Sequence, residues 1–115
     1  MDHKTVEEYI LSFQDAWLDH PFGENVAVYK VGPNPDKEGA SKMFALINEG
    51  KTPIRLSLRC EPVLSAVLRE KYEEVLPGQH LNSKQWNTLI LSGQLEWEEV
   101  KGLIRHSYDL VLSEE

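Results

Sequence analysis

Residues Lys42–Cys60 read KMFALINEGKTPIRLSLRC, and this stretch decides the fold. Its second half alternates: Ile54, Leu56 and Leu58 fall on one side, Arg55, Ser57 and Arg59 on the other. That is the period of a half-buried strand. The run KMFALIN over 42–48 predicts a second strand. Between them Glu49-Gly50-Lys51 predicts a turn in which glycine supplies positive φ. So short a link implies antiparallel pairing.

The pattern extends both ways. NVAVYKV over 25–31 predicts a strand, and GPNPDKEGAS over 32–41, with two prolines and two glycines, predicts a loop. Thr5 followed by Glu8 is a capping-box signature. Val6, Tyr9, Ile10, Phe13 and Trp17 then recur at helical spacing, so a helix is predicted over 5–19, stopped by His20-Pro21. Downstream, Pro62 suits a first helical turn, and Val63, Leu64, Val67 and Leu68 give the helix over 62–72 its apolar stripe. Pro77-Gly78 is a turn pair after a short strand. Trp86–Leu91 predicts the last strand and Glu96–Leu112 the last helix, with Glu96, Glu98 and Glu99 at its electropositive N-terminal end. The order is α-β-β-β-α-β-β-α. It is the order of an α+β fold, a single antiparallel sheet with its helices on one face.

With 115 residues the chain fits one domain, 1–115. At 41% hydrophobic and 27% charged it reads as globular. No apolar run reaches the roughly 18 residues of a membrane helix. The acid-bearing start MDHKTVEEYI does not read as a signal peptide. Cys60 is the one cysteine, which excludes an internal disulfide and points to a reducing, cytoplasmic setting. Net charge is −7, unevenly spread. Residues 30–59 hold six basic side chains against three acids; the segments on either side are each net −5.

VLREKYEEVLPGQHLNSKQWNTLILSG over 67–93, followed by acids and then LIRHSYDLV, resembles the MmcQ/YjbR family. Those small bacterial domains carry a PG-x-HLN segment, a W-x-T strand and a final helix ending in Ser-Tyr. The matching residues are Pro77, Gly78, His80, Leu81, Asn82, Trp86, Asn87, Thr88, Gly93, Ser107 and Tyr108. The resemblance covers about the last two-thirds of the chain. It implies a frataxin-like layout, and DNA as partner through a "double-wing" motif, a label that rests on shape.

Each candidate residue has two readings. Arg55 and Arg59 share one side of a strand, about 13 Å apart at ~3.3 Å per residue. With Lys42 and Lys51 flanking the hairpin they form a wing able to grip phosphate, with loop 32–41 as the second wing. The structural alternative is a solvated sheet face, and a net charge of −7 weakens attraction to DNA. No helix-turn-helix, zinc finger or basic helix is present. His80, Asn82 and Trp86, with Lys84, form a second contact region for DNA, a protein or a small molecule. The structural alternatives there are a turn-bound imidazole, a cap at Asn82 or Ser83, and a core indole. His3, His20 and His106 show no ligand spacing. Glu7, Glu8, Asp15 and Asp19 read as a solvated acidic helix face, although acidic clusters attract hard cations. No GxSxG elbow, P-loop or GxGxxG is found, so no catalytic residue, cofactor or metal is assigned. By parity Cys60 falls with Ile54, Leu56 and Leu58, and so reads as buried and inert.

Overall fold

A computed structural model of the chain describes residues 1–78 and 81–114. Among these, helix α1 spans His3–Leu11, strand β1 Ala16–Asp19, β2 Val26–Val31, β3 Lys42–Asn48 and β4 Arg55–Arg59. Helix α2 spans Pro62–Lys71, β5 Val75–Pro77, β6 Trp86–Ile90 and α3 Trp97–Ser113. All pairings are antiparallel, in the order β1-β2-β3-β4-β6-β5. The architecture is α+β, as the sequence predicts.

One element differs. The helix expected over 5–19 begins at His3, with the Asp2 carboxylate accepting from the Thr5 N–H at 2.8 Å, and stops at Leu11. The Ser12 hydroxyl donates to the Tyr9 carbonyl at 2.6 Å, a local bond that competes with helix continuation. Asp15 then takes φ +63°, a left-handed conformation that aspartate tolerates better than most residues. The chain reverses, and Ala16–Asp19 pairs with Val28–Val31 as an edge strand. Phe13 and Trp17 kept helical spacing by coincidence: Phe13 stacks on Tyr108 at 4.7 Å, while Trp17 lies on β1.

The helices pack on one sheet face. Val6 and Ile10 of α1, Leu68 of α2, and Val100, Ile104, Tyr108 and Val111 of α3 meet Ala27, Tyr29, Ala45, Ile47, Leu56, Leu58 and Leu89 in one buried cluster. Cross-strand partners share a face, so the other face carries Val28, Leu46, Ser57, Trp86 and Thr88, all buried, with Arg55 and Arg59 along the same line. Ser57 and Thr88 hydroxyls meet there at 2.9 Å.

Between β2 and β3 the register slips by one residue: Tyr29 pairs with Ala45, but Lys30 pairs with Met43. Phe44 is the extra residue of a β-bulge. It keeps its ring in the core and turns Lys42 onto the helix side, opposite the buried Val31. The bulge interrupts the ladder, and α3 repairs it. The Ser107 hydroxyl, fully buried, donates to the Phe44 carbonyl and accepts from the Arg59 N–H at 2.9 Å.

Ser107→Ala is expected to strand both backbone groups. The loss is about 2–4 kcal/mol, since an unpaired buried polar group costs ~1–3 kcal/mol. A lowered urea midpoint with unchanged m measures it; an unchanged midpoint contradicts the bridge.

Candidate functional site

The basic segment is drawn largely into the molecule. Lys30 lies between Asp19 and Asp36, 3.0 Å from each carboxylate. Asp36 also accepts the Ser41 N–H, and that bond, then Lys30, holds its carboxyl below the usual range. Lys42 was expected to flank the face of Arg55 and Arg59. The Phe44 bulge instead sends its ammonium to the Val111 carbonyl at 3.3 Å and to the Glu114 carbonyl. There it satisfies carbonyls left over at the C-terminus of α3. Arg59 keeps the side the alternation gave it and lies over the Trp86 ring at 5.9 Å. Both its terminal nitrogens pair with the Glu114 carboxylate. The side chains of Arg55 and exposed Lys51 have no hydrogen-bond or ion-pair partner among the described residues.

A second region forms where α2 meets the turn into β6. Asn82 caps that turn: its side-chain oxygen accepts from the Lys84 N–H at 3.0 Å, and its carbonyl from the Gln85 and Trp86 N–H at 3.0 and 2.9 Å. Residues 83–85 form a tight turn. Trp86 is buried, 5% exposed. Gly78 donates its N–H to the Trp86 carbonyl at 2.9 Å and packs so close that a Cβ on it would lie 2.6 Å from the Trp86 Cβ. His80, singled out in the sequence, lies outside the described residues.

What the sequence reading missed is Arg69, which builds this corner. From the last turn of α2 its Nε donates to Asn87 Oδ1 at 2.7 Å, and its Nη2 to the carbonyls of Ser83 and Trp86, the latter at 3.1 Å. Asn87 in turn donates to the Ser65 hydroxyl at 3.3 Å. Asn87 and Ser65 are both buried. The available signal was Asn87 itself: it lies opposite Leu58 on the helix-covered face, and a polar side chain buried there requires a partner. Pro62, Ser65, Ala66, Arg69, Ser83 and Lys84 line an open depression of about 310 Å³ beside this network. Glu61 caps α2, accepting the Val63 and Leu64 N–H groups at 3.0 Å each; those bonds hold its carboxyl below the ordinary 4.5.

The histidines, scattered in sequence, partly converge. His3 and His20 each bring Nε2 to 3.7 Å from Glu49 Oε1. Among the described residues no group of three His, Cys, Asp or Glu side chains could hold a metal ion. The acidic helix face does not form, because Asp15 and Asp19 lie beyond α1. Asp19 binds Lys30, and Glu7 accepts the Tyr29 hydroxyl at 2.5 Å. Cys60 is buried, as its parity predicts, and burial pushes its thiol up. No helix among the described residues is long and apolar enough to cross a membrane.

The YjbR family model matches residues 11–110. The uncharacterised protein YjbR of Escherichia coli K12 is 33% identical over 66 residues, 57% of this chain and 56% of that protein. The chain thus spans a little over half the length of this relative. The uncharacterised protein YbdF of Escherichia coli O157:H7 is 26% identical over 110 residues, 96% of this chain and 84% of that protein. A crystal structure of a Deinococcus radiodurans protein with the DUF419 domain superposes with a TM-score of 0.89 at 31% identity, over 96% of this chain and 78% of that one. A Pseudomonas syringae protein superposes at 0.77 with 27% identity, over 96% and 98%.

Arg69→Ala is expected to cost about 1–3 kcal/mol, because it leaves the buried Asn87 Oδ1 without its donor, while the Trp86 carbonyl keeps the Gly78 N–H. Chemical denaturation of the variant checks this; a loss within the scatter of surface substitutions contradicts it. The Glu61 cap has a pH signature. Its folded pKa is depressed, so its contribution is complete above about 4.5 and fades as pH falls through the folded value. Glu61→Gln should flatten the acid limb of a stability-against-pH curve and leave its neutral slope unchanged.

Proposed function

The chain belongs to the YjbR family, and we propose that it is a non-enzymatic binding module whose ligand seat is the depression between α2 and the 82–86 turn. The observation that carries this reading is the Arg69 network. It fixes a concave surface by hydrogen bonds from one side chain to three separate acceptors on the turn and β6. Rigid, partly polar hollows of this size are where small molecules and short peptide segments bind. Lys84 and Asn82, candidate contact residues, lie on the same turn as this seat, which runs directly into Trp86.

DNA is the second reading, favoured by Arg55 and Lys51, which carry no acid partner among the described residues. It needs a run of free cations, because affinity for duplex is dominated by phosphate neutralisation. Lys30, Lys42 and Arg59 are engaged with carboxylates or carbonyls. Lys84, two residues before the strand position paired with Arg59, sits the length of β4 away from Arg55. The positive charge is therefore divided between two ends of the sheet.

Two measurements separate the readings. A small-fragment screen followed by amide chemical shifts should give changes that cluster at Ser65, Arg69, Ser83 and Lys84; shifts confined to Lys51 and Arg55 contradict the seat. A gel-shift series at low salt should show no retarded duplex. If a complex does form, and Arg55→Ala with Lys51→Ala flattens its salt dependence by about two phosphate contacts, the DNA reading replaces this one.

A further inference from the structure

We propose that the depression beside α2 is an oxyanion site for a small phosphate monoester. The inference rests on the binding-module reading and names its ligand. The Arg69 guanidinium has five N–H donors in a planar fork. Three are committed: one from Nε to Asn87, and two from Nη2 to the carbonyls of Ser83 and Trp86. The two on Nη1 have no acceptor among the described residues. The committed bonds fix the plane of the fork, so Nη1 is preorganised and little rotamer freedom is left to lose on binding.

The rest of the lining agrees. Lys84 is exposed and has no ion-pair partner among the described residues. Ser83 adds a hydroxyl at the same rim, and among the described residues no Asp or Glu lines the hollow. Glu61, the acid that opens α2, already accepts two backbone N–H groups. Two cations and a hydroxyl without an opposing carboxylate match a phosphate dianion, whose oxygens accept charge-assisted bonds. The volume of about 310 Å³ exceeds what a bare phosphate fills, and Pro62 and Ala66 supply apolar lining for an organic body. The outward side of α2 beside it shows Val63 and Val67, 70% and 54% exposed, and exposed Glu70. Such a surface suits a compact ester better than the continuous charge of a nucleic-acid backbone.

The test is an amide chemical-shift titration of the full chain with phenyl phosphate, inorganic phosphate, phenol and a short DNA duplex in parallel. Phenyl phosphate should shift Ala66, Arg69, Ser83 and Lys84 amides, and inorganic phosphate the same amides more weakly. Affinity should fall below about pH 6, where the dianion takes up a proton. Lys84→Glu should weaken phenyl phosphate at least about tenfold, the loss of one charge-assisted bond. This side chain is exposed, so the variant tests the site even if Arg69→Ala unfolds the corner. Absence of phenyl phosphate shifts at these amides, or an unchanged affinity in Lys84→Glu, overturns the proposal. So does a duplex that binds more tightly than phenyl phosphate with the same Lys84 dependence. If phenol shifts these amides and phenyl phosphate does not, the binding seat stands and the phosphate assignment falls. If no probe shifts them, both fall.

Discussion

One inserted residue organises this protein. Phe44 gives β3 an extra position between two pairing registers, and an insertion in a central strand leaves backbone groups without ladder partners. The fold meets that demand from a helix. Ser107 closes the gap between the Phe44 carbonyl and the Arg59 N–H, which locks α3 to β3 and β4 at one point. Its neighbour Tyr108 sends its hydroxyl to the Gln14 carbonyl at 2.7 Å and stacks on Phe13, tying down the short link between α1 and β1. The Ser-Tyr pair near the end of the chain is thus a structural rivet, and the aromatic cluster of Phe13, Phe44 and Tyr108 is its apolar counterpart.

The same bulge governs the charge distribution. After it, Ala45–Asn48 alternate in step with β4; before it, Lys42 faces the helices and binds the end of α3. Glu114 then reaches Arg59, so two basic residues of the middle segment are engaged by the last turn of the chain. A segment that is net +3 in sequence shows few free cations in three dimensions. Charge counted along a chain predicts a surface field only when the side chains stay in water, and here half of the six basic groups do not stay unpaired.

Most of the fold was legible because its signals are local. Strand alternation at 54–60, the Gly50 turn, Pro62 and the apolar stripe of α3 each needed only a short window. Strand β1 was not legible: four residues are too few to show a period, and Phe13 and Trp17 imitate the continuation of a helix. Its determinants are the Ser12 side-chain bond and the left-handed Asp15, which matter only once β2 offers an edge to pair with. The candidate site was legible in part. Asn82 as a cap, Trp86 as core and Cys60 as buried all follow from spacing and residue type. Arg69 did not, because its acceptors are two backbone carbonyls and Asn87, none of them local to it in sequence. Likewise His3 and His20 meet Glu49 only through the turns that bring the start of the chain to the β3–β4 hairpin.

The strand order leaves β1 and β5 at the two rims of the sheet, where unpaired backbone groups invite a neighbouring chain to add itself. Each rim is blunted differently. β5 has three residues and ends on Pro77, which has no N–H to offer an incoming strand. β1 has four residues and closes on Asp19, whose carboxylate is engaged by Lys30. A charged, short rim on one side and a proline-terminated one on the other are the devices by which sheets disfavour edge-to-edge pairing. The apolar side chains Leu18 and Leu76, 36% and 39% exposed, sit at those rims, where the short, blunted edges leave them little strand to extend.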